Sequence, residues 1–462
     1  MKKWLWVAAV PTAMVIYAAA SSASTSTVVA AGTNGAADGG NGDGNAPPDA
    51  VKDFAAKMID EGRDTFRNDT FGDEAFWDAI QLNKGVETVS PKAALGVGLK
   101  VDLDALDATT VDALENGKVN LDDPAVTATL LKGNAVVGLK AQVDAQNHVK
   151  SLGITCALCH STVDNAVAPG VGHRLDGWPN RDLNVGAIVS VAQNLDPVAK
   201  LLHVDVPTLK QVLGQWGPGK FDAEIFMDGK ALGPDGVPHP TLLPSAFGLA
   251  GVNLHTYTGW GSVTHWNAFV ANLEMHGIGN FFDPRLDDAK KFPIAAANGF
   301  GHVTATPDKD RVTSKLAALH YYQLSLDAPK PPAGSFDAAA AKRGKAIFEG
   351  KAKCATCHIP PLYTEPGWNM HTPEEIGIDA FQANRAPDGR YRTTPLRGLW
   401  ARMQSAPVSE ANTAPRDRNG HGFYHDGRFA TLMDVMNHYT DAMKLGVSDA
   451  EKSDVVEYLK SL

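Results

Sequence analysis

All four cysteines of this 462-residue chain fall in two segments of one grammar, Cys156-Ala157-Leu158-Cys159-His160 and Cys354-Ala355-Thr356-Cys357-His358. So small a count excludes a disulfide-dense scaffold. A CxxC pair can be a redox dithiol, and two such pairs can build a zinc site. The histidine after each pair favours a third chemistry. In CxxCH the thiols form thioethers with haem vinyl groups, and the histidine swings under the ring to ligate iron. The expectation is two covalently bound haem c groups, one held by Cys156, Cys159 and His160, the other by Cys354, Cys357 and His358.

The start of the chain agrees with that chemistry, because haem c belongs outside the cytoplasm. Lys2 and Lys3 precede an apolar run from Trp4 to Ala20, interrupted by Pro11, and small residues follow to Ala23. This pattern is a secretory signal over residues 1–23. The alternative is a retained anchor, but a run of about 17 residues is near the lower limit for a bilayer span. The expected location is periplasmic or secreted. Residues 24–50, rich in Ser and Thr and then in Gly, Asp and Asn, form a flexible leader.

The 42 Lys and Arg against 52 Asp and Glu give a net charge of −10, which leaves no nucleic-acid partner. With 44% apolar residues the remainder can bury a core. Helical spacing begins at Phe54, Met58 and Ile59. A cluster of Pro329, Pro331, Pro332 and Gly334 breaks the chain again. This predicts an N-terminal haem domain over 51–332 and a C-terminal one over 333–462. In the second, Phe336, Ala340, Ile347 and Phe348 share a helix face before KCATCH, and Ser448 with Glu451 caps a closing helix. The fold class is mainly α, two cytochrome c-like haem domains with long irregular connections.

The arrangement resembles the dihaem cytochrome c peroxidase and MauG superfamily. The resemblance covers about residues 135 to 462 and is strongest in GVGHRLDGWPNRDLN (170–184), YRTTPLRGLW (391–400) and FYHDGRFATLMDVMNHY (423–439). The segment TGWGSVTHWNAFVANLEMHG, between the motifs, looks most like the rubber oxygenase branch, which cleaves polyisoprene with dioxygen.

The resemblance implies particular roles. His173 matches the loop histidine that can cover the distal side of the first haem; its alternative is a polar loop residue. Glu274 resembles the pocket glutamate used as acid and base, and a helix-surface carboxylate is the other reading. Trp266 resembles the tryptophan between the haems, with core packing as its alternative. Phe281 resembles the pocket phenylalanine of rubber oxygenases. The distal ligand of the second haem falls at His438, taken ahead of Tyr439, with His425 third. Arg392 and Arg397 are propionate partners.

The implied reactions are peroxide reduction with electrons from a small redox protein, or dioxygen-dependent cleavage of a hydrophobic polyene. A MauG-type modifier of a partner protein and an electron carrier with no substrate chemistry remain alternatives, and a calcium ion between the domains is left open.

Overall fold

The computed structural model describes residues 49–403 and 422–462. The expected signal (1–23) and nearly all of the expected leader (24–50) lie outside the described residues. Helices dominate: α1 (Ala50–Asn68), α2 (Pro91–Gly96), α3 (Pro124–Lys132), α4 (Val185–Ser190), α5 (Val206–Trp216), α6 (Val263–Phe269), α7 (Leu316–Ser325), α8 (Ala338–Glu349), α9 (Leu432–Ala442) and α10 (Asp449–Lys460). Among the described residues the sheets are all two-stranded. The longest is a hairpin of β1 (Leu139–Val143) and β2 (Val149–Ile154), with Leu139 opposite Ile154.

Two helix pairs frame the molecule, and both cross at a glycine. On α1, Gly62 lies so close to α7 that a Cβ would stand 1.9 Å from the Ala318 carbonyl oxygen. One turn later, Phe66 packs on Tyr322 of α7 with ring centroids 5.5 Å apart. On α8, a Cβ at Gly344 would stand 2.0 Å from the Asp454 carbonyl oxygen of α10. One turn later, Phe348 packs on Tyr458 of α10 at 5.3 Å. The absent side chain is what lets each pair approach, and the buried aromatic contact then holds the crossing. Arg343 clamps the second pair from outside through Asp454.

The pairs carry different cores. Residues between Trp77 and Leu243 form the largest apolar cluster, with Ile80, Leu152, Leu183 and Leu213 buried in it. The α8/α10 pair closes on its own cluster of Phe348, Leu399, Leu432, Met436, Val455 and Leu459, drawn wholly from residues after Pro332. Trp178, Phe247, Leu326, Ala328, Trp400 and Ala401 pack together across that proline segment. Residues Ala50–Leu462 therefore make one compact unit.

Both closing helices begin on sequence-readable caps. Ser448 Oγ accepts from the Glu451 N–H while Glu451 accepts from the Ser448 N–H, and Thr431 with Asp434 does the same for α9. No described helix is long and apolar enough to cross a membrane.

Candidate haem sites

The β1–β2 hairpin delivers the first motif. Its register ends at Ile154, and the Thr155 N–H then donates to the Gly138 carbonyl. Gly138 has φ +78°, and a Cβ there would lie 2.2 Å from the Leu158 backbone, so the CxxCH turn rests directly on the hairpin. Cys156, Cys159 and His160 line a cavity of about 300 Å3. Cys354, Cys357 and His358 line a second, of about 480 Å3. The two cysteine pairs thus cannot make one zinc site. Burial pushes the thiols of Cys156 and Cys159 up to about 12 and that of Cys354 up to about 11, opposite to the shift a reactive dithiol needs.

The two histidines are held alike. His160 Nδ1 lies 3.1 Å from the Pro244 carbonyl oxygen, and His358 Nδ1 lies 3.0 Å from that of Tyr363. Tyr363 is in turn anchored by its hydroxyl to Tyr458 of α10, 2.9 Å away. A ring nitrogen committed to a backbone carbonyl fixes the tautomer and leaves Nε2 as the electron-pair donor, the arrangement a metal-ligating histidine needs. Burial lowers both imidazoles, His160 to about 4, so neither carries a proton on that nitrogen at neutral pH.

The cavities share two lining residues, Tyr257 and Arg392. Arg392 donates from Nε to the Thr256 carbonyl, while its buried Nη1 finds no hydrogen-bond partner among the described residues. Arg181 and Arg402 line the second cavity beside it. Burial, and then its neighbour Arg402, lower Arg392 to about 9; burial lowers Arg402 to about 10. The buried Nη1 of Arg392, with no hydrogen-bond partner among the described residues, can take an anion, and haem propionates are carboxylates of the right charge. The residues therefore fit a covalently held haem in each cavity.

Several expected site residues lie elsewhere. His173 is exposed at the surface, its Nδ1 2.8 Å from Asp104 Oδ1, and does not line the first cavity. The local strand pairing of Arg174–Asp176 with Ser161–Val163 turns the preceding residue outward. The histidine that accompanies His160 in that wall is His255, whose Nε2 faces the Val252 carbonyl. Phe281 is buried between His265 and Phe269, outside both cavities. Arg397 pairs with Asp327 and also lines neither cavity. Trp266 lines the first cavity only, packed edge-on against Trp260, whereas Tyr257 lines both.

The ligand register on α9 also differs. His438 Nε2 lies 3.1 Å from the Ile376 carbonyl oxygen and its ring packs on Phe429, away from the cavity. Tyr439 lines the cavity, with Met436 one turn before it. Successive helical side chains diverge by about 100°, so the two neighbours cannot both face in. His425 lines the same cavity, stacked on Tyr391 at 5.1 Å.

Glu274 lines the first cavity, as a pocket acid must. It closes a π-helical turn, Val270–Glu274, that continues α6 and is sealed by the Met275 N–H on the Val270 carbonyl. Such turns re-aim side chains inward and cluster at functional sites. Both carboxylate oxygens of Glu274 are buried without a partner among the described residues. Burial, then the charges of Glu224 and Asp222, hold this carboxyl well above the usual range. Glu224 lines the same cavity and is also buried. Behind it Arg385 is gripped by Asp228 through two bonds of 2.9 and 3.0 Å and faces Asp222 at 2.9 Å.

Tyr257, Glu224, Arg181 and Arg402 escaped sequence reasoning. Arg181 sits in the family-like GVGHRLDGWPNRDLN segment and offered a signal; the other three offered none. One His, Cys, Asp and Glu cluster among the described residues has metal-holding spacing, Cys357 with Glu365 and His371. Its mixed donors are unlike the all-oxygen shell of calcium.

No family model matches the chain. The cytochrome-c peroxidase IdrP1 of Denitromonas iodatirespirans is 27% identical to it over 243 residues, 44% of this chain and 63% of the relative. The methylamine utilization protein MauG of Methylorubrum extorquens is 25% identical over 261 residues, 50% of this chain and 67% of the relative. The chain thus spans about two thirds of the length of the curated relatives it matches. A solved MauG-like protein associated with microbial copper homeostasis is 17% identical, over 51% of this chain and 76% of its own, with a TM-score of 0.30. Neither curated relative is a rubber oxygenase, and that narrower resemblance draws no support from them. What the sequence relatives support for this chain is the MauG and dihaem cytochrome c peroxidase superfamily.

Proposed function

We propose that this chain is an exported dihaem oxidoreductase with its reactive centre in the first cavity and a tyrosine-held centre in the second. The observation that carries the reading is that two CxxCH cavities share Tyr257 and Arg392 yet present different side chains: Glu274 and Glu224 in one, Tyr439 in the other. When bound, the haem irons supply the one-electron steps. His160 and His358 would hold them from below, and Arg392 would receive propionates from both sides.

Glu274 keeps a proton because burial disfavours its charge, so it can give that proton to a departing oxygen and take one back. Tyr439, the α9 side chain that faces the second cavity, would be the second side chain to hold the other iron. Tyr257 puts an aromatic ring between the centres. The oxidant is peroxide, or dioxygen with two electrons from a small redox donor, and a partner protein is the reductant that such a second centre suits. Export rests on the basic and apolar start of the chain.

Cleavage of a hydrophobic polyene has one support, the aliphatic far wall of the first cavity, and one observation against it, the packing of Phe281 in the core. The test is the absorption and paramagnetic-resonance spectrum of the holoprotein. Tyr439→Phe should alter the second centre and leave the first unchanged, whereas His438→Ala should alter neither. Loss of a low-spin signal in His438→Ala alone would return the second centre to a bis-imidazole carrier.

A further inference from the structure

Beside the first cavity lies a smaller one of about 150 Å3, walled by α2, α3, α4 and the β1 edge. Val86, Leu99, Leu139 and Ile188 line both, so one layer of aliphatic side chains is all that separates them. Its lining also includes Ala93 and Val191, both exposed, so the chamber opens to solvent beside them. The polar atoms of its lining side chains are already bonded to protein partners. Thr127 Oγ1 donates to the Val89 carbonyl at 2.7 Å, and Lys100 Nζ bonds Asp182 at 2.5 Å.

A chamber with no polar group to offer does not hold water or peroxide, each of which needs hydrogen-bond partners. Apolar cavities of about this size stay dry and take up xenon or benzene. We infer that this chamber admits a small uncharged apolar molecule of the dioxygen class and passes it through the Val86, Leu99, Leu139 and Ile188 layer to the first cavity. The delivery role rests on the reading of that cavity as the reactive haem centre; the chamber itself does not.

The route needs only side-chain motion, because the separating residues are branched aliphatics that change rotamer without breaking hydrogen bonds. It distinguishes oxidants chemically. Hydrogen peroxide, which needs hydrogen-bond partners, is excluded from this route, and dioxygen is not.

The experiment uses holoprotein crystals pressurised with xenon, together with carbon monoxide association to the reduced protein after flash photolysis. Xenon density in the chamber is expected, lost in Ala93→Trp, where the exposed position accepts a large side chain at the mouth, and in Ala187→Phe, which fills the interior. Both variants should slow carbon monoxide association at the first centre several-fold, with unchanged haem spectra and melting temperature. Ordered water in place of xenon would overturn the apolar chamber. Xenon binding with unaltered association in both variants would overturn the route. If no haem is attached at Cys156 and Cys159, the functional reading fails while the xenon result still decides the chamber.

Discussion

The two CxxCH regions are built on one frame and finished differently. Each hangs from a helix pair in which a glycine crossing is followed, one turn on, by a Phe–Tyr contact: Gly62 and Phe66 with Tyr322, Gly344 and Phe348 with Tyr458. In the second region Cys354 follows Phe348 by 6 positions, and in the first Cys156 follows Phe66 by 90. The inserted chain supplies α2, α3 and the hairpin, and its Ile80, Leu82, Val86, Leu99, Leu139 and Leu152 form part of the aliphatic wall of the first cavity.

The linings diverge accordingly. The first cavity carries two carboxyls, Glu224 and Glu274. The second carries Arg181, Arg392, Arg402 and three lysines, with no Asp or Glu among the described residues that line it. A cavity that holds acids can handle protons, and one that holds cations and phenols can hold anions and pass electrons.

If that division is right, removing the acid function from the first cavity has the largest consequence. Glu274→Gln keeps the shape and removes the transferable proton. Peroxide turnover should fall by about 10²- to 10⁴-fold, the usual weight of a positioned acid–base group, with both haem spectra intact. Stopped-flow measurement of oxidised-state formation checks this, and unchanged turnover would erase the distinction between the cavities.

The shared frame is probed next. Gly62→Val and Gly344→Val each drive a side chain into the facing backbone, at 1.9 and 2.0 Å for the Cβ alone. Each should cost about 3 kcal/mol, at the upper end of overpacking penalties, because a backbone carbonyl cannot swing aside. Denaturant titration measures the loss. A mild effect at Gly62 with a severe one at Gly344 would mean that the first helix pair is not the counterpart of the second.

How much of this was legible in the sequence follows from range. The CxxCH motifs and the Ser448–Glu451 cap are local, and local chemistry reads directly, whereas the matching cap at Thr431 went unread. The α8/α10 pair was legible because the apolar face of Phe336, Ala340, Ile347 and Phe348 and the Ser448–Glu451 cap are each local signals. The α1/α7 pair was not, since its insertion hides the repeat. Side-chain direction was the other weak point. Resemblance located the His438–Tyr439 register to within one residue, and on a helix one residue is a rotation of about 100°. His173, in the bend before the Arg174–Asp176 strand, takes the polar-loop alternative, its ring on Asp104 and not in the cavity. Arg402 and Tyr257 reach the site only through tertiary packing.

The acids behind the first cavity give the comparison a pH signature. Burial pushes Asp222 up to about 7, against the opposing charge of Arg385. Between the ordinary carboxylate range and that value the unfolded chain has released this proton and the folded chain keeps it. Stability should therefore fall as pH rises from about 4 to about 7, by about 1.4 kcal/mol per unit for one such proton, and level off above. Asp222→Asn should flatten this slope in urea titrations across that range. A slope that rises with pH in the native protein would mean that Arg385 holds Asp222 ionised.

The smallest effect separates two arginines five positions apart. Arg397 and Asp327 form a partly exposed pair, with Asp327 67% exposed, and such pairs contribute about 0–1 kcal/mol. Arg397→Ala should leave melting, haem content and both spectra nearly unchanged. Arg392, half-buried and shared by the cavities, should behave otherwise: Arg392→Ala removes a cation that both propionate sets would use, and Arg392→Lys cannot restore its planar fork. Redox titration of the holoprotein reads the contrast, with both potentials lowered in Arg392→Ala as a positive charge is withdrawn beside each centre. Displacement of only one potential would assign Arg392 to a single cavity, and a shift in Arg397→Ala would restore that residue to the site.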